Sequence, residues 1–391
     1  MSEWDRRRLG DLCTRITVGH VGSMASRYAE SGIPFLRSLN VKRGRLDLSV
    51  LKYIDEGFHA ELAKSQLKPG DLAIVRTGEP GATAVIPDDL GPMNCSDLVI
   101  ATPGPEVDAR YLCYAINETA QDFVKAHTVG AVQQHFNVKS AKELVLSVPP
   151  LSVQEALSGL LGALDDKIAV NERIAARSEE LALALASQGH WKRRVRVEEI
   201  CVLRKEQVSP REISEESVDH YSLPAFDVGQ MPERVSPEAI RSAKFSVSEP
   251  VVLLSKLNPE IPRVWHVEPD PRAPSLASTE FLVLAPNSPL ASHELWAVLR
   301  QRNFLDSLAS KVTGTSKSHQ RVRPAEAMAT EVVDPRQFGE TGAQIRSLCG
   351  RAMLARQESR ALATLRDTLL PQLMSGRLRV KDAEKIVEDA T

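Results

Sequence analysis

The side chains best suited to chemistry in this chain lie in two stretches that share a pattern. Lys125 to Lys139 reads Lys-Ala-His-Thr-Val-Gly-Ala-Val-Gln-Gln-His-Phe-Asn-Val-Lys, and Lys311 to Arg323 reads Lys-Val-Thr-Gly-Thr-Ser-Lys-Ser-His-Gln-Arg-Val-Arg. Each sets amides, imidazoles and cations around a glycine. Gln, Asn, Arg and Lys carry the donor and acceptor pairs that distinguish base edges in a DNA major groove, while Ser and Thr hydroxyls satisfy phosphates. This chemistry predicts nucleic-acid contacts by Lys125, Gln133, Gln134, His135, Asn137 and Lys139 in the first stretch. In the second it predicts Lys311, Ser316, Lys317, His319, Gln320, Arg321 and Arg323. The acid-free run from Arg37 to Arg45 adds Arg37, Lys42 and Arg43. Hairpin-like turns at Arg76-Thr77-Gly78 and Asn94-Cys95-Ser96 add Arg76 and Thr77 as further candidates. Lys256, in Ser255-Lys256-Leu257-Asn258-Pro259, stands where Arg76-Thr77-Gly78-Glu79-Pro80 stands earlier in the chain.

No catalytic constellation accompanies these residues. The sequence holds no G-x-G-x-x-G after a strand, no G-x-x-x-x-G-K-[ST], no H-E-x-x-H and no G-x-S-x-G. The nine histidines do not fall at metal-ligand spacing with a cysteine or carboxylate cluster, so no metal site is expected. Asp165-Asp166-Lys167 is acidic, but adjacent helix positions do not face one another, and a solvated helix face is expected. The five cysteines are scattered without a C-x-x-C pair, which predicts buried, inert thiols rather than a disulfide framework.

Charge and hydropathy narrow the class further. With 49 basic and 51 acidic residues the net charge is −2, so electrostatics alone would not draw the chain onto a polyanion; local basic patches must supply any such contact. No apolar run approaches the roughly 18 to 20 residues of a membrane span, and the start Met1-Ser2-Glu3-Trp4-Asp5-Arg6-Arg7-Arg8 lacks a signal-peptide core, so a cytoplasmic protein without membrane association is expected. A length of 391 residues predicts two or three domains.

The elements that must position these residues come in two copies. Trp4-Asp5-Arg6-Arg7-Arg8-Leu9-Gly10-Asp11-Leu12-Cys13 returns, with one insertion, as Trp191 to Cys201; Ser96 to Pro103 resembles Thr279 to Pro286; and Gly130 to Val148 resembles Gly314 to Val332. A constant order at an offset near 185 residues marks a tandem duplication of whole domains rather than a solenoid, whose period is roughly 20 to 50 residues. In each copy, apolar runs such as Asp71 to Arg76, Leu98 to Ala101, Val251 to Leu254 and Phe281 to Leu284 predict strands. Arg110 to Lys125 and Ser292 to Lys311, free of Pro and Gly, predict helices. After Pro149-Pro150, Ser152 and Glu155 stand at capping-box spacing. Leu157, Leu161, Leu164, Ile168, Ile174, Leu181 and Leu185 then follow mostly at helical steps, predicting one helix of about 34 residues, roughly 50 Å long. Between Gly342 and Gly376, Ile345, Leu348, Leu362, Leu365, Leu369 and Leu373 predict a second, weakened by Gly350 and Pro371. Two such helices most simply bury their apolar seams against each other.

The segments Pro149-Pro150-Leu151-Ser152-Val153-Gln154-Glu155, Leu161-Gly162-Ala163-Leu164-Asp165-Asp166-Lys167-Ile168 and Leu365-Arg366-Asp367-Thr368-Leu369-Leu370-Pro371-Gln372-Leu373-Met374-Ser375-Gly376-Arg377-Leu378 resemble the central and distal helical regions of type I restriction-modification specificity subunits. Gly70-Asp71-Leu72 leading to Arg76-Thr77-Gly78 is similar to the first half of a target-recognition domain in that family. The resemblance spans essentially the whole chain. It implies an α+β fold: two tandem mixed α/β target-recognition domains, 1–150 and 191–335, separated by long antiparallel coiled-coil helices in a central spacer, 151–190, and a distal region, 336–391, as a pseudo-two-fold internal repeat. It implies a non-catalytic DNA reader for phage defence, each half reading one part of a bipartite asymmetric site. Leu157, Leu161, Leu164, Ile168, Leu362, Leu365 and Leu369 would belong to the helices that dock partners. Those partners would be two modification (methyltransferase) subunits, which bring S-adenosylmethionine, and a restriction subunit; no cofactor would be bound by this chain. The competing reading is an adaptor whose helices and flanking domains bind protein. The second half departs from the pattern, with Val333-Asp334-Pro335-Arg336-Gln337 in place of the Pro-Pro-Leu helix start.

Overall fold

A computed structural model of the chain describes residues 4–126, 136–312 and 320–390. It divides into two compact units, one of residues 1–167 with 362–391 and one of residues 168–361. Each unit joins one mixed domain to part of each long helix. The α+β class follows from two mixed α/β domains with two long helices packed together.

In the first unit a four-stranded antiparallel sheet runs in the order Cys13–Val18, Leu98–Pro103, Leu72–Val75, Thr83–Val85. Its central strands are buried on both faces, which is why they read as unbroken apolar runs. Side chains alternate across the sheet. Leu72, Ile74, Val99 and Ala101 pack towards helix Ala109–Ala126 and the long helices, whereas Ala73, Val75, Leu98 and Ile100 pack with Ala84, Ile86 and Met93. A second sheet orders Lys52–Ile54, Ile33–Leu36, Met93–Cys95 and Gln66–Leu67. Strand Asp5–Arg8 pairs antiparallel with Val145–Val148 and so ties the start of the domain to its end.

The second unit repeats this plan. Its main sheet runs Cys201–Arg204, Phe281–Pro286, Val251–Ser255, Val264–Val267, the same order of equivalent strands, and Arg194–Arg196 pairs with Glu331–Val333 as Asp5–Arg8 pairs with Val145–Val148. Val252, Leu254, Leu282 and Leu284 face one core; Val251, Leu253, Phe281 and Val283 face another, built around Trp265, Tyr221 and Phe226. The predicted helix over Ser292 to Lys311 is instead two, Ser292–Leu299 and Arg302–Ala309. Gln301 takes an extended conformation between them, a break that lets Phe304 and Leu308 bury in the same core as Trp296.

The long helices are Leu151–Gln188, of 38 residues, and Glu340–Met374, of 35 residues. The first starts at Leu151, so Ser152 is already inside it and does not cap it; buried Gln154 instead accepts from Asp108 N–H at 3.0 Å and donates to the Pro149 carbonyl at 2.8 Å. Pro371 falls in the last turn of the second helix, where its missing N–H costs the carbonyl of Asp367, an exposed residue, its helical partner. In the first unit Leu157 and Leu161 share a core with Leu369 and Leu373, and Arg366 donates to Asp165 at 2.6 Å. In the second, Ala175 packs on Ala352 and Ala355, Ala182 and Ala186 share a core with Ile345 and Cys349, and Arg356 pairs with Glu179 at 2.6 Å. Asn171 donates to Glu358 at 2.7 Å. Within each unit the order of these pairs is antiparallel.

Asp165 departs from the solvated face expected for it. It is half-buried, accepting from Tyr114 Oη as well as from Arg366, while Asp166 next to it faces outward and pairs with Arg110 at 2.8 Å. The cysteines follow expectation: all five are free, four are buried and Cys13 is half-buried. Burial pushes the thiols of Cys13, Cys113, Cys201 and Cys349 up to about 12 and raises Cys95 as well. Among the described residues no helix is long and apolar enough to cross a membrane.

The duplication also shows at the tryptophans. Trp191 lies against Gly189, where a Cβ would fall 2.0 Å from its ring, and Trp4 lies against Gly376, where a Cβ would fall 3.2 Å away. Each glycine ends a long helix. The second-copy tryptophan lies two residues after its glycine, whereas Trp4 meets a glycine near the other end of the chain.

Candidate nucleic-acid interface

In the first unit, strand Leu72–Val75 delivers Arg76 and Thr77 to the turn before Thr83–Val85. The Arg76 carbonyl accepts from Phe136 N–H at 3.1 Å, which brings Asn137 and Lys139 beside this turn although 60 residues of chain intervene. Asn137 caps helix Val138–Glu143, its Oδ1 accepting from Lys139 N–H at 2.9 Å and Ser140 N–H at 3.0 Å. That role occupies the amide oxygen and leaves the NH2 group as the end available to a ligand. Lys139 is exposed. Hairpin residue Gly44 donates to the Thr83 carbonyl at 2.9 Å, and Arg43 reaches the Asn117 carbonyl at 2.9 Å, so Lys42 and Arg43 border the same turn.

Arg76 is half-buried and tied to Asp97, which sits at φ +52° just before strand Leu98–Pro103. Arg37 donates to the Val50 carbonyl at 2.8 Å, and its guanidinium lies 6.0 Å from the Tyr28 ring, which Lys52 also approaches at 5.7 Å. Tyr28 and Lys52 escaped the sequence reading because an aromatic with two cations over it is assembled from three separate segments. Asn94 and Cys95 are not at a turn tip: both are buried in strand Met93–Cys95, where the Asn94 amide serves the Leu62 carbonyl and Cys95 N–H. Asp71 is buried and structural as well, accepting from Lys68 N–H at 2.9 Å, Thr102 Oγ1 at 2.6 Å and Arg15 at 3.1 Å.

The second unit builds the equivalent junction from different side chains. Val322 N–H donates to the Lys256 carbonyl at 3.0 Å and Asn258 N–H to the Gln320 carbonyl at 2.9 Å, so Lys256, Gln320 and Arg321 lie together as Arg76 and Asn137 do. The acid before the main strand also returns, as Glu280. Its cation, however, comes from the other side of the junction: Arg321 grips Glu280 through two bonds, of 3.1 and 2.9 Å, which raises its pKa. Lys311 donates to Thr330 Oγ1 at 2.7 Å, and Arg323 is exposed at the start of helix Pro324–Met328. Gln133, Gln134, His135, Ser316, Lys317 and His319 lie outside the described residues, as does the side chain of Lys125.

On the helices, Leu157, Leu161, Leu164, Leu362 and Leu369 are buried within the chain, and Ile168 and Leu365 are half-buried. The large apolar side chains that the same helices leave exposed include Val170, Leu181 and Leu354.

Whole-chain comparison with solved structures decides the fold. The structure of the type I restriction-modification system S subunit from M. genitalium superposes with a TM-score of 0.59 at 15% identity, covering 95% of this chain and 96% of that one. This chain has the fold of a type I restriction-modification specificity subunit. The HsdS subunit from Thermoanaerobacter tengcongensis is also similar, at a TM-score of 0.37 and 14% identity over 96% of this chain and 98% of that one. A chain from a structure concerning complex assembly and conformational transition of the type I R-M system matches at 0.40 and 14% over 97% and 99%. No protein-family model matches the sequence, and no curated protein matches it in sequence.

Proposed function

We propose that this chain is the DNA sequence-recognition subunit of a type I restriction-modification complex and performs no catalysis itself. Each mixed domain reads one half of a bipartite, asymmetric site in double-stranded DNA, and the two long helices set the spacing and dock two modification subunits. Those subunits bring S-adenosylmethionine and the methylating site, a restriction subunit completes the assembly, and phage defence in the cytoplasm is its use. The observation that carries this reading is the specificity-subunit fold, matched over 95% of the chain at a TM-score of 0.59. The repeated junction supports it: in both units a backbone hydrogen bond sets a basic residue beside a polar segment, Arg76 with Asn137 and Lys256 with Gln320. The reader residues are Arg37, Lys42, Arg43, Arg76, Thr77, Lys125, Gln133, Gln134, His135, Asn137 and Lys139 in one half. In the other they are Lys256, Lys311, Ser316, Lys317, His319, Gln320, Arg321 and Arg323. Because the seam leucines are spent inside the chain, docking on the helices uses their outward side chains, Val170, Leu181 and Leu354 among them.

The test is adenine-methylation mapping across the genome of a host carrying the chain with its modification subunits. The expected outcome is one bipartite motif with a fixed spacer. Gln133→Ala and Lys317→Ala slow methylation of it, and affinity falls by about 0.9 log units per tenfold rise in salt for each neutralised phosphate. Absence of sequence-specific methylation together with salt-independent partner binding would favour the protein adaptor and refute the reading.

A further inference from the structure

The second unit brings His293 to His266 and Glu268, so that three metal-ligating side chains meet. His266 lies in strand Val264–Val267, Glu268 follows two residues later on the same side of the chain, and His293 stands in the first turn of helix Ser292–Leu299. One donor atom from each lies within 4.8 Å of the others. Glu268 Oε1 is 3.5 Å from His293 Nε2 and 3.9 Å from His266 Nε2. Two ligands each about 2.0 to 2.2 Å from one ion are separated by roughly 3 to 3.5 Å, so the two carboxylate–imidazole distances need to close by no more than about 0.9 Å, and the two imidazoles, at most 4.8 Å apart, by no more than about 1.8 Å.

We infer that His266, Glu268 and His293 form a binding site for one borderline divalent transition-metal ion, of which zinc is the type. Two imidazoles and one carboxylate are the donor set such ions favour over magnesium or calcium, which take oxygen. His293 Nε2 is buried and has no hydrogen-bond partner among the described residues, a cost that a metal bond would remove. His266 Nε2 now meets Ser292 Oγ at 2.8 Å, a bond the serine would exchange for one to water bound on the ion. Arg356, which lines the same cavity as His266, is paired with Glu179 at 2.6 Å. Glu268 is partly exposed, so the ion would enter from solvent and keep water in its remaining positions. Bound there, it would pin the start of helix Ser292–Leu299 to the sheet.

The site is tested by calorimetric titration of the full-length chain, free of partners and DNA, with zinc chloride, so the result stands apart from the DNA reading. One equivalent is expected to bind. Glu268→Gln, at a partly exposed position that leaves the core intact, weakens zinc by about tenfold or more, and His293→Gln by more than that. Zinc also raises the thermal midpoint of the wild-type chain and not that of Glu268→Gln. Failure to bind zinc at micromolar concentration overturns the assignment. So does equal affinity in the wild type and both variants, which would move the ion to other residues.

Discussion

Leu161→Ala tests whether the helix seam is part of the first unit's core. Leu161 has no exposed surface and shares a core with Leu157, Leu369, Leu373 and the sheet residues Leu72 and Ile74. The three carbons removed are worth about 0.8 kcal/mol each in transfer from water. The void adds about 24 cal/mol for every Å3 the neighbours fail to fill, for a total of about 3 to 5 kcal/mol. At about 1.4 kcal/mol per tenfold, amides of 151–167 that exchange through opening of this unit should do so roughly two to three and a half decades faster. Hydrogen exchange read by mass spectrometry on peptides from 151–167 and 362–374 measures this directly. The control is Leu354→Ala on the second long helix, 65% exposed, which should cost no more than about 0.5 kcal/mol. Exchange in Leu161→Ala within about threefold of wild type would mean that the seam carries no cooperative load, and the packing argument would fail.

Asp165→Ala removes the carboxylate that the Tyr114 hydroxyl donates to and leaves Arg366 paired with Asp367 alone, and a loss of about 1 to 2 kcal/mol is expected in urea denaturation; an unchanged midpoint would return Asp165 to the solvated face. Gly189→Ala drives a Cβ into the Trp191 ring, breaks its 2.9 Å bond to the Ala186 carbonyl and unseats it from Phe338, so a cost of about 1 to 3 kcal/mol and a red-shifted tryptophan emission are predicted. Burial disfavours the thiolate and pushes Cys13, Cys113, Cys201 and Cys349 up to about 12, so at pH 8 only about one in ten thousand of these is ionised. A chromogenic disulfide should therefore leave all five cysteines unmodified over minutes in buffer and label them in urea. Fast labelling of the native chain would contradict the burial.

Much of the architecture was legible in the residues themselves because it rests on local periodicity. Strands such as Leu72–Val75 and Val251–Ser255 announce themselves as unbroken apolar runs since both faces of each sheet are covered. Leu151–Gln188 announces itself by leucines at helical steps, and the duplication by the return of Trp4 to Cys13 as Trp191 to Cys201. The break at Gln301 was not legible, because it answers to the depth at which Phe304 and Leu308 must sit, a demand made by the core and not by neighbours in sequence.

The candidate site divides the same way. Residue type and order determined that two polar, basic stretches recur, one in each copy. Only the tertiary structure decided that the repeated acid is held by Arg76 in one unit and by Arg321 in the other, that Asn94 is buried, and that Tyr28 gathers Arg37 and Lys52. It alone brought His266, Glu268 and His293 within reach of one ion, and seated Trp4 against Gly376. The physical reason is common to all of these: hydrophobic periodicity acts over a few residues and is written in the chain, whereas contacts between distant segments depend on how sheets and helices stack.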